Sequence, residues 1–230
     1  MAIKEGDFLK LSYTGSVNGN VFDTTFEEEA KTANIHSPNA IYGPVTICVG
    51  QKHVILGLDE ELVGKKVGTE GDVTVTPDKA FGERDMKRVQ SYPKNKFTQK
   101  PIRGMPVKME EHGEGTVVDV IGNRVIVDFN APLAGQTLIY HYKIEEWVKD
   151  PLEQLKGLIR LYAGREMEAT LEGETATVTL PAGINYDRRW MLWRGRIIHE
   201  GFEQINGISE IVLVESYKKP EKTEEEKKEE

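Results

Sequence analysis

Asp7-Phe8-Leu9-Lys10-Leu11-Ser12-Tyr13-Thr14 sets Leu9, Leu11 and Tyr13 against Lys10, Ser12 and Thr14, the period-two alternation of a half-buried strand. Asn18-Gly19-Asn20 is a turn, and Val21-Phe22-Asp23-Thr24 resumes extended structure. The segment therefore predicts two adjacent strands carrying Tyr13, Phe22 and Asp23. Downstream, 27–34 reads as a short helix and 36–44 as a loop broken by Gly43-Pro44. Val45 to Val49 is an apolar strand stopped by Gly50, and Asp72 to Thr76 a strand stopped by Pro77. Between them Ile55, Leu58, Leu62 and Val63 recur at helical spacing up to Gly64, and Leu138 to Val148 is a long strand. Apolar and aromatic residues are thus strung across 140 positions: Tyr13, Phe22, Val49, Val54, Ile55, Leu58, Phe81 and Tyr140, with Asp23 as the one acid among them. Side chains so far apart meet only if the strands curl around a shared pocket. Such a pocket is greasy, has one carboxylate at its edge, and suits a reaction that needs no nucleophile, metal or proton relay.

From 84 to 130 the texture changes. Residues 86–106 are rich in Lys, Pro and Gln, with Met86, Val89, Tyr92, Phe97, Ile102 and Met105 scattered among them. Gly115 to Ile121 and Arg124 to Phe129 are strands about Gly122-Asn123, a two-residue hairpin signal, so a compact β insertion is predicted here. Asp150-Pro151 is a helix start, Asp as N-cap and Pro at the first helical position. The helix it opens carries Leu152, Leu155, Ile159 and Tyr162 on one stripe. Strands at 166–171 and 175–180, a helix at 188–205 capped by Asp187, and a strand at 208–217 complete an α-β-β-α-β order, that of a small α+β domain. Trp190 and Trp193 on that second helix read equally as the domain's core or as a dimer or client surface. Residues 218–230, all Lys, Glu, Thr and Pro, have no apolar anchor and are expected to be disordered.

The chain has 230 residues, room for one to three domains. Its 38 acidic against 30 basic residues give a net charge of −8, which disfavours nonspecific nucleic-acid binding, since that depends on neutralising phosphates. One cysteine, Cys48, allows no intrachain disulfide and fits a reducing compartment; in an apolar strand it reads as an inert buried thiol. No apolar run is long enough to span a membrane, and the polar start Met1-Ala2-Ile3-Lys4-Glu5-Gly6-Asp7 is unlike a signal peptide. The expectation is a cytoplasmic protein with no nucleic-acid or membrane partner. Cys-x-x-Cys, His-Glu-x-x-His, Gly-x-Ser-x-Gly, P-loop and Gly-x-Gly-x-x-Gly motifs are absent. His36, His53, His112, His141 and His199 show no ligand spacing and read as surface or structural, so no metal and no cofactor is expected. Phe22 or Tyr140 alone would be ordinary core; the pocket reading rests on the ordered set.

Leu11-Ser12-Tyr13-Thr14-Gly15 followed by Gly19-x-Val21-Phe22-Asp23-Thr24-Thr25 resembles the N-terminal signature of FKBP-type peptidyl-prolyl cis/trans isomerases. Val49-Gly50-x-x-x-Val54-Ile55-x-Gly57-Leu58-Asp59 with Gly64-x-x-Val67-Gly68 resembles that family's central motif, and Thr76-Pro77-Asp78-x-Ala80-Phe81-Gly82 the motif before its flap. Leu133-Ala134-Gly135-Gln136-Thr137-Leu138 is similar to the closing segment of the SlyD-like branch, in which an insert-in-flap domain interrupts the flap. The added 150–217 domain and acidic end resemble the long archaeal form. The resemblance implies an α+β fold: a half-open antiparallel β-sheet wrapped on a short helix (1–83 plus 131–149), an inserted small β domain (84–130) and a C-terminal α+β domain (150–217). It places Tyr13, Phe22, Asp23, Val54, Ile55, Leu58, Phe81 and Tyr140 in the catalytic pocket, with Val45 and Leu133 against substrate. Many members carry Tyr where Phe81 stands and Trp where Leu58 stands, so a ligand-binding hydroxyl is missing here and the pocket floor is smaller.

The implied activity is isomerisation of X-Pro bonds in unfolded or nascent polypeptides. The Ile55 N–H would donate to a substrate carbonyl, and Asp23 would either fix Tyr13 or attract the twisted carbonyl carbon. Met86, Val89, Tyr92, Phe97, Ile102 and Met105 would offer unfolded chains an adaptable apolar surface; the competing reading packs them under the 115–129 hairpin. A homodimer through the C-terminal domain would point two clefts at one client. A non-catalytic holdase using the isomerase fold as scaffold is the alternative function. A nickel-linked assembly factor, a role some SlyD-like proteins suggest, has no His or Cys in the tail to support it.

Overall fold

Strand β1 (Phe8–Val17) is the spine of the first sheet. One edge carries β9 (Leu138–Trp147) antiparallel; the other is shared by β3 (Val45–Cys48) along 8–11 and β2 (Asn20–Thr24) along 14–17. β4 (Glu70–Val75) pairs with the far side of β9, making five antiparallel strands. The computed structural model describes residues 1–217; the charged end 218–230, expected to be disordered, lies outside the described residues. In β9 the alternation buries Leu138, Tyr140, Tyr142 and Ile144 on one face. Helix α2 (Leu56–Leu62) lies on that face and buries Leu58 and Leu62, one turn apart, against Leu9, Leu11 and Ile47. Each such fully buried aliphatic contributes roughly 1.5–3 kcal/mol. Gly57 makes the approach possible: a Cβ there would stand 2.5 Å from Val75. The half-open antiparallel sheet wrapped on a short helix is the fold expected. α1 (Glu27–Thr32) precedes a loop, 33–44, that returns to β3.

The insertion is a four-stranded antiparallel sheet in the order β5 (Val89–Pro93), β8 (Arg124–Asp128), β7 (Gly113–Ile121), β6 (Pro106–Met109). The hairpin about Gly122-Asn123 stands where expected. β5 and β6 were hidden in the Lys- and Pro-rich stretch, because their prolines, Pro93 and Pro106, sit at strand ends where a missing N–H costs little. The apolar residues of this stretch do not form one surface. Tyr92, Phe97 and Met105 pack against the buried Val117, Val125, Val127 and Phe129, so the competing reading holds for them. Val89 is half-buried in β5, and only Met86 and Ile102 stand out, 68% and 62% exposed. The physical reason is that an insertion this small has four strands to cover and few other apolar groups to do it.

Helices α3 (Pro151–Ala163) and α4 (Arg188–Gln204) cover a sheet of β10 (Glu168–Glu172), β11 (Thr175–Leu180) and β12 (Glu210–Glu215), the last pair parallel. Asp150 and Asp187 cap the two helices as expected, accepting from Glu153 N–H at 3.1 Å and Trp190 N–H at 3.0 Å. Trp190 is core, 1% exposed, whereas Trp193 and Phe202 are 44% exposed. Trp193 stacks on Tyr162, ring centroids 5.4 Å apart. The core of this unit also takes in residues that precede 150. Phe8, Cys48 and Val148, from the outer face of the first sheet, join the core of Leu155, Leu158, Ile159 and Trp190. Gly157 lets α3 close onto β3, for a Cβ there would stand 2.5 Å from Thr46.

Candidate active site

Gly15 opens the site. It sits opposite Asp23 on β2 and Tyr140 on β9, and with no side chain of its own it leaves room for Phe22 and Tyr140 to meet across it. Their rings are 5.9 Å apart and edge-to-face, Phe81 lies 6.3 Å from Phe22, and Tyr13 lies 5.7 Å from Tyr140. Such pairs are worth roughly 0.5–1.5 kcal/mol each beyond area burial. Val45, Val54, Ile55 and Leu133 pack half-buried against the core of this unit, in which Leu58 and Tyr140 are buried. The residues assigned to the pocket from the sequence therefore lie in one sheet-and-helix unit, where Tyr13, Tyr140, Phe22 and Phe81 form a run of ring contacts. Phe81 is at the rim, 40% exposed. The six assigned in the insertion are not part of this group: Tyr92, Phe97 and Met105 pack on the core of the second sheet, Val89 lies in its β5, and Met86 and Ile102 are exposed.

A cavity of about 270 Å³ lies beside the cluster, lined by Tyr13, Phe22, Asp23, Val45, Ile41 and Tyr42 among others. Ile35 and Ile41 also face it, and neither they nor Tyr42 were assigned from the sequence. Their signal was an Ile41-Tyr42 pair inside an otherwise polar loop. Two larger clefts, about 440 and 700 Å³, are bordered by Asn20, Glu28 and Glu29 and by Lys10, Arg160 and Glu166; neither gathers aromatic walls.

Tyr13 donates its hydroxyl to Asp23 Oδ2 at 3.1 Å. Burial, then the neighbouring carboxylate, pushes the Tyr13 phenol well above the ordinary range, and burial does the same to Tyr140. Burial also raises the Asp23 carboxyl, opposed by the bonds it accepts from Tyr13 and the Thr24 backbone. Asp23 is open to solvent along one edge, which limits that rise. The site thus holds neutral phenols and one carboxylate already engaged by its neighbour. The loop between β3 and α2 presents Val54 and Ile55. Asp59, buried on α2, accepts from Gly50 N–H at 3.0 Å and Lys52 N–H at 3.1 Å, bracing that loop. Ile55 caps α2 with extended backbone, and among the described residues no acceptor takes its N–H. Cys48 is buried and pushed up to about 12, by burial and then by Glu200, so it stays a thiol. Among the described residues no three His, Cys, Asp or Glu side chains gather as metal ligands, and no helix is long and apolar enough to cross a membrane.

Comparison with known proteins agrees with this geometry. The family model described as FKBP-type peptidyl-prolyl cis-trans isomerase matches residues 1–98; those described as FKBP26, IF domain and FKBP26_C-terminal match 94–133 and 151–218. The Short-type peptidyl-prolyl cis-trans isomerase of Methanocaldococcus jannaschii is 35% identical over 147 residues, 63% of this chain and 93% of that one. The FKBP-type isomerase SlyD of Aeromonas hydrophila is 32% identical over 143 residues, 60% of this chain and 61% of that one. The FKBP-type 16 kDa isomerase of Escherichia coli is 31% identical over 114 residues, 47% and 75% of the two chains. With strands, helix and aromatic cluster arranged as described, and a relative matched along nearly its whole length, the chain belongs to the FKBP-type peptidyl-prolyl cis-trans isomerase family.

Proposed function

We propose that the aromatic cluster around Gly15 is the isomerase site and that it works by desolvation and electrostatics alone. An X-Pro bond crosses a barrier of about 20 kcal/mol because twisting removes amide resonance. The planar amide is the more dipolar form and water stabilises it; apolar walls favour the twisted, less polar one. Phe22, Tyr140, Val54 and Ile55 supply those walls, backed by the buried Leu58; Val45 and Leu133 flank the bound chain, and Phe81 closes the rim. The Ile55 N–H donates to a substrate carbonyl. Asp23 fixes the Tyr13 ring through its hydroxyl. One observation supports this reading: four aromatic rings in a run with centroid spacings of 5.7 to 6.3 Å border a cavity whose one carboxylate, Asp23, is already bonded by Tyr13.

The clients are unfolded or nascent polypeptides containing proline, met in the cytoplasm, whose reducing conditions suit a lone buried thiol. Met86 and Ile102 on the insertion hold such chains by adaptable apolar contact. The exposed Met191 and Leu192 on α4 pair two copies, a reading a sedimentation run showing only monomer would remove. A non-catalytic holdase is the second reading, favoured by the absent hydroxyl at Phe81. A protease-coupled assay on an Ala-Pro or Phe-Pro peptide separates the two: acceleration over the spontaneous rate is expected, and its absence leaves only the holdase.

A further inference from the structure

Two loops border the pocket, and each is held by a side chain from the C-terminal unit. The first holds the β3–α2 loop. Glu200 of α4 is buried, its side chain 2% exposed, and it accepts from His53 Nε2 at 2.8 Å, from the Tyr162 hydroxyl at 2.7 Å and from Arg196 Nε. His53, its side chain 1% exposed, stands immediately before Val54-Ile55. Cys48 N–H donates to His53 Nδ1 at 3.0 Å. A backbone N–H can only donate, so Nδ1 carries no proton and the proton sits on Nε2, aimed at Glu200. The imidazole is therefore fixed at both nitrogens, one bond to each unit, with the Tyr162 ring edge-on at 5.6 Å. A buried carboxylate is costly unless fully bonded; here burial raises Glu200, and the bonds from His53, Tyr162 and Arg196 outweigh it and hold the group below the usual range.

The second holds the rim. Arg160 of α3 donates from Nη2 to the Tyr42 carbonyl at 2.8 Å, part-buried. Tyr42 and Ile41 line the cavity, and the next residue, Gly43, has φ +101° and donates to Thr25 O at 2.7 Å. Arg160 is one turn beyond Gly157, where α3 presses on β3. Neither Glu200 nor Arg160 lines the cavity.

We propose that the C-terminal unit is a working part of the isomerase site, with Glu200, through His53, and Arg160, through the Tyr42 carbonyl, as positioning residues that hold the two pocket loops. This rests on the isomerase reading above. It assigns α3 and α4 a role in the chemistry of a proline peptide too short to touch them.

The test uses the full chain and a short Phe-Pro peptide. E200M keeps the volume and removes the acceptor; R160M removes the rim bond from a side chain 28% exposed. Loop misplacement of a fraction of an ångström predicts a loss in kcat/KM of about tenfold for E200M and about threefold for R160M, carried by kcat. E200Q, whose amide oxygen can turn to His53, recovers most of what E200M loses. Amide exchange speeds up at 49–55 in E200M and at 35–44 in R160M, while the centre of β9 is unchanged. Folded E200M and R160M with wild-type kcat/KM and unchanged loop exchange would overturn the proposal. If E200M does not fold, R160M alone decides. A wild-type chain without activity defeats the isomerase reading itself, an outcome separate from wild-type activity that both variants retain.

Discussion

Gly15→Ala tests whether the placement of the aromatic walls sets the rate. A methyl at this position would lie 2.9 Å from Phe22 Cζ and 2.9 Å from Tyr140 Cε1, half an ångström inside the 3.4 Å at which ordinary contact begins. Both atoms belong to stiff rings that also meet each other, so neither can swing aside as a flexible side chain would. Each ring must retreat by about 0.5 Å, which shifts the walls of the proposed site. Two opposing terms set the stability. Overpacking costs typically ~1–3 kcal/mol, while Ala in place of Gly in a strand returns roughly 0.5–1 kcal/mol. A net loss of about 1 kcal/mol is the expectation, a small shift in a urea midpoint.

The catalytic loss is larger in proportion. A misplacement of about 1 Å is worth roughly a hundredfold in rate, so half that displacement should lower kcat/KM by about tenfold. The assay is isomerisation of a Phe-Pro peptide alongside refolding of a proline-limited protein, with urea denaturation of the same preparation. Loss of stability with unchanged kcat/KM would refute the claim that these rings are the catalytic walls. A variant more stable than wild type by the full Gly-to-Ala increment would refute the close approach itself.

Three further expectations follow from the same geometry. Because Tyr13 donates to Asp23, the double variant Y13F/D23N should be no slower than D23N alone; additive losses in kcat/KM would mean that Asp23 acts on the substrate directly. Tyr162 is pushed up to about 12, by burial and then by its bond to Glu200, so its unfolded form ionises first. The stability it lends is whole below about 10 and drains away as pH climbs toward 12, visible as late tyrosinate absorbance in the folded protein; simultaneous titration in folded and denatured chains would contradict this. M86S/I102S should reduce suppression of aggregation of an unfolded protein several-fold with no change in melting temperature, since both side chains are exposed; full retention would remove these two residues from client contact.

What could be read from the chain follows a physical divide. β1 and β9 were legible because burial there is periodic: one face takes Leu9 and Leu11, or Leu138, Tyr140 and Ile144, and the alternation shows in the residues themselves. The caps Asp150 and Asp187 were legible because a cap acts on a backbone N–H three residues away. The pocket residues were legible through the order and spacing of the motifs that carry them. β5 and β6 were not, since each is short, carries a proline at one end and lies in a Lys- and Pro-rich stretch. His53 was not either. It is a lone histidine in a loop, and its partner Glu200 is 147 residues away on a helix whose pattern gives no reason for a buried acid.

Glu200 and His53 differ in kind from the apolar stripes. A periodic stripe buries itself against any adequate apolar surface, so it needs no particular partner. A buried carboxylate has less freedom: Arg196 and Tyr162 come from its own unit, but the bond from His53 must come from the loop across the interface. Hydrophobic pattern therefore builds each unit separately, whereas Glu200 specifies one docking of α4 against one loop. Sliding that interface by a helical turn would leave the apolar faces largely covered, and Arg196 and Tyr162 would travel with the acid, but its bond to His53 would be lost. The single bond between that neutral imidazole and the buried acid thus ties the Val54-Ile55 loop to one placement of α4.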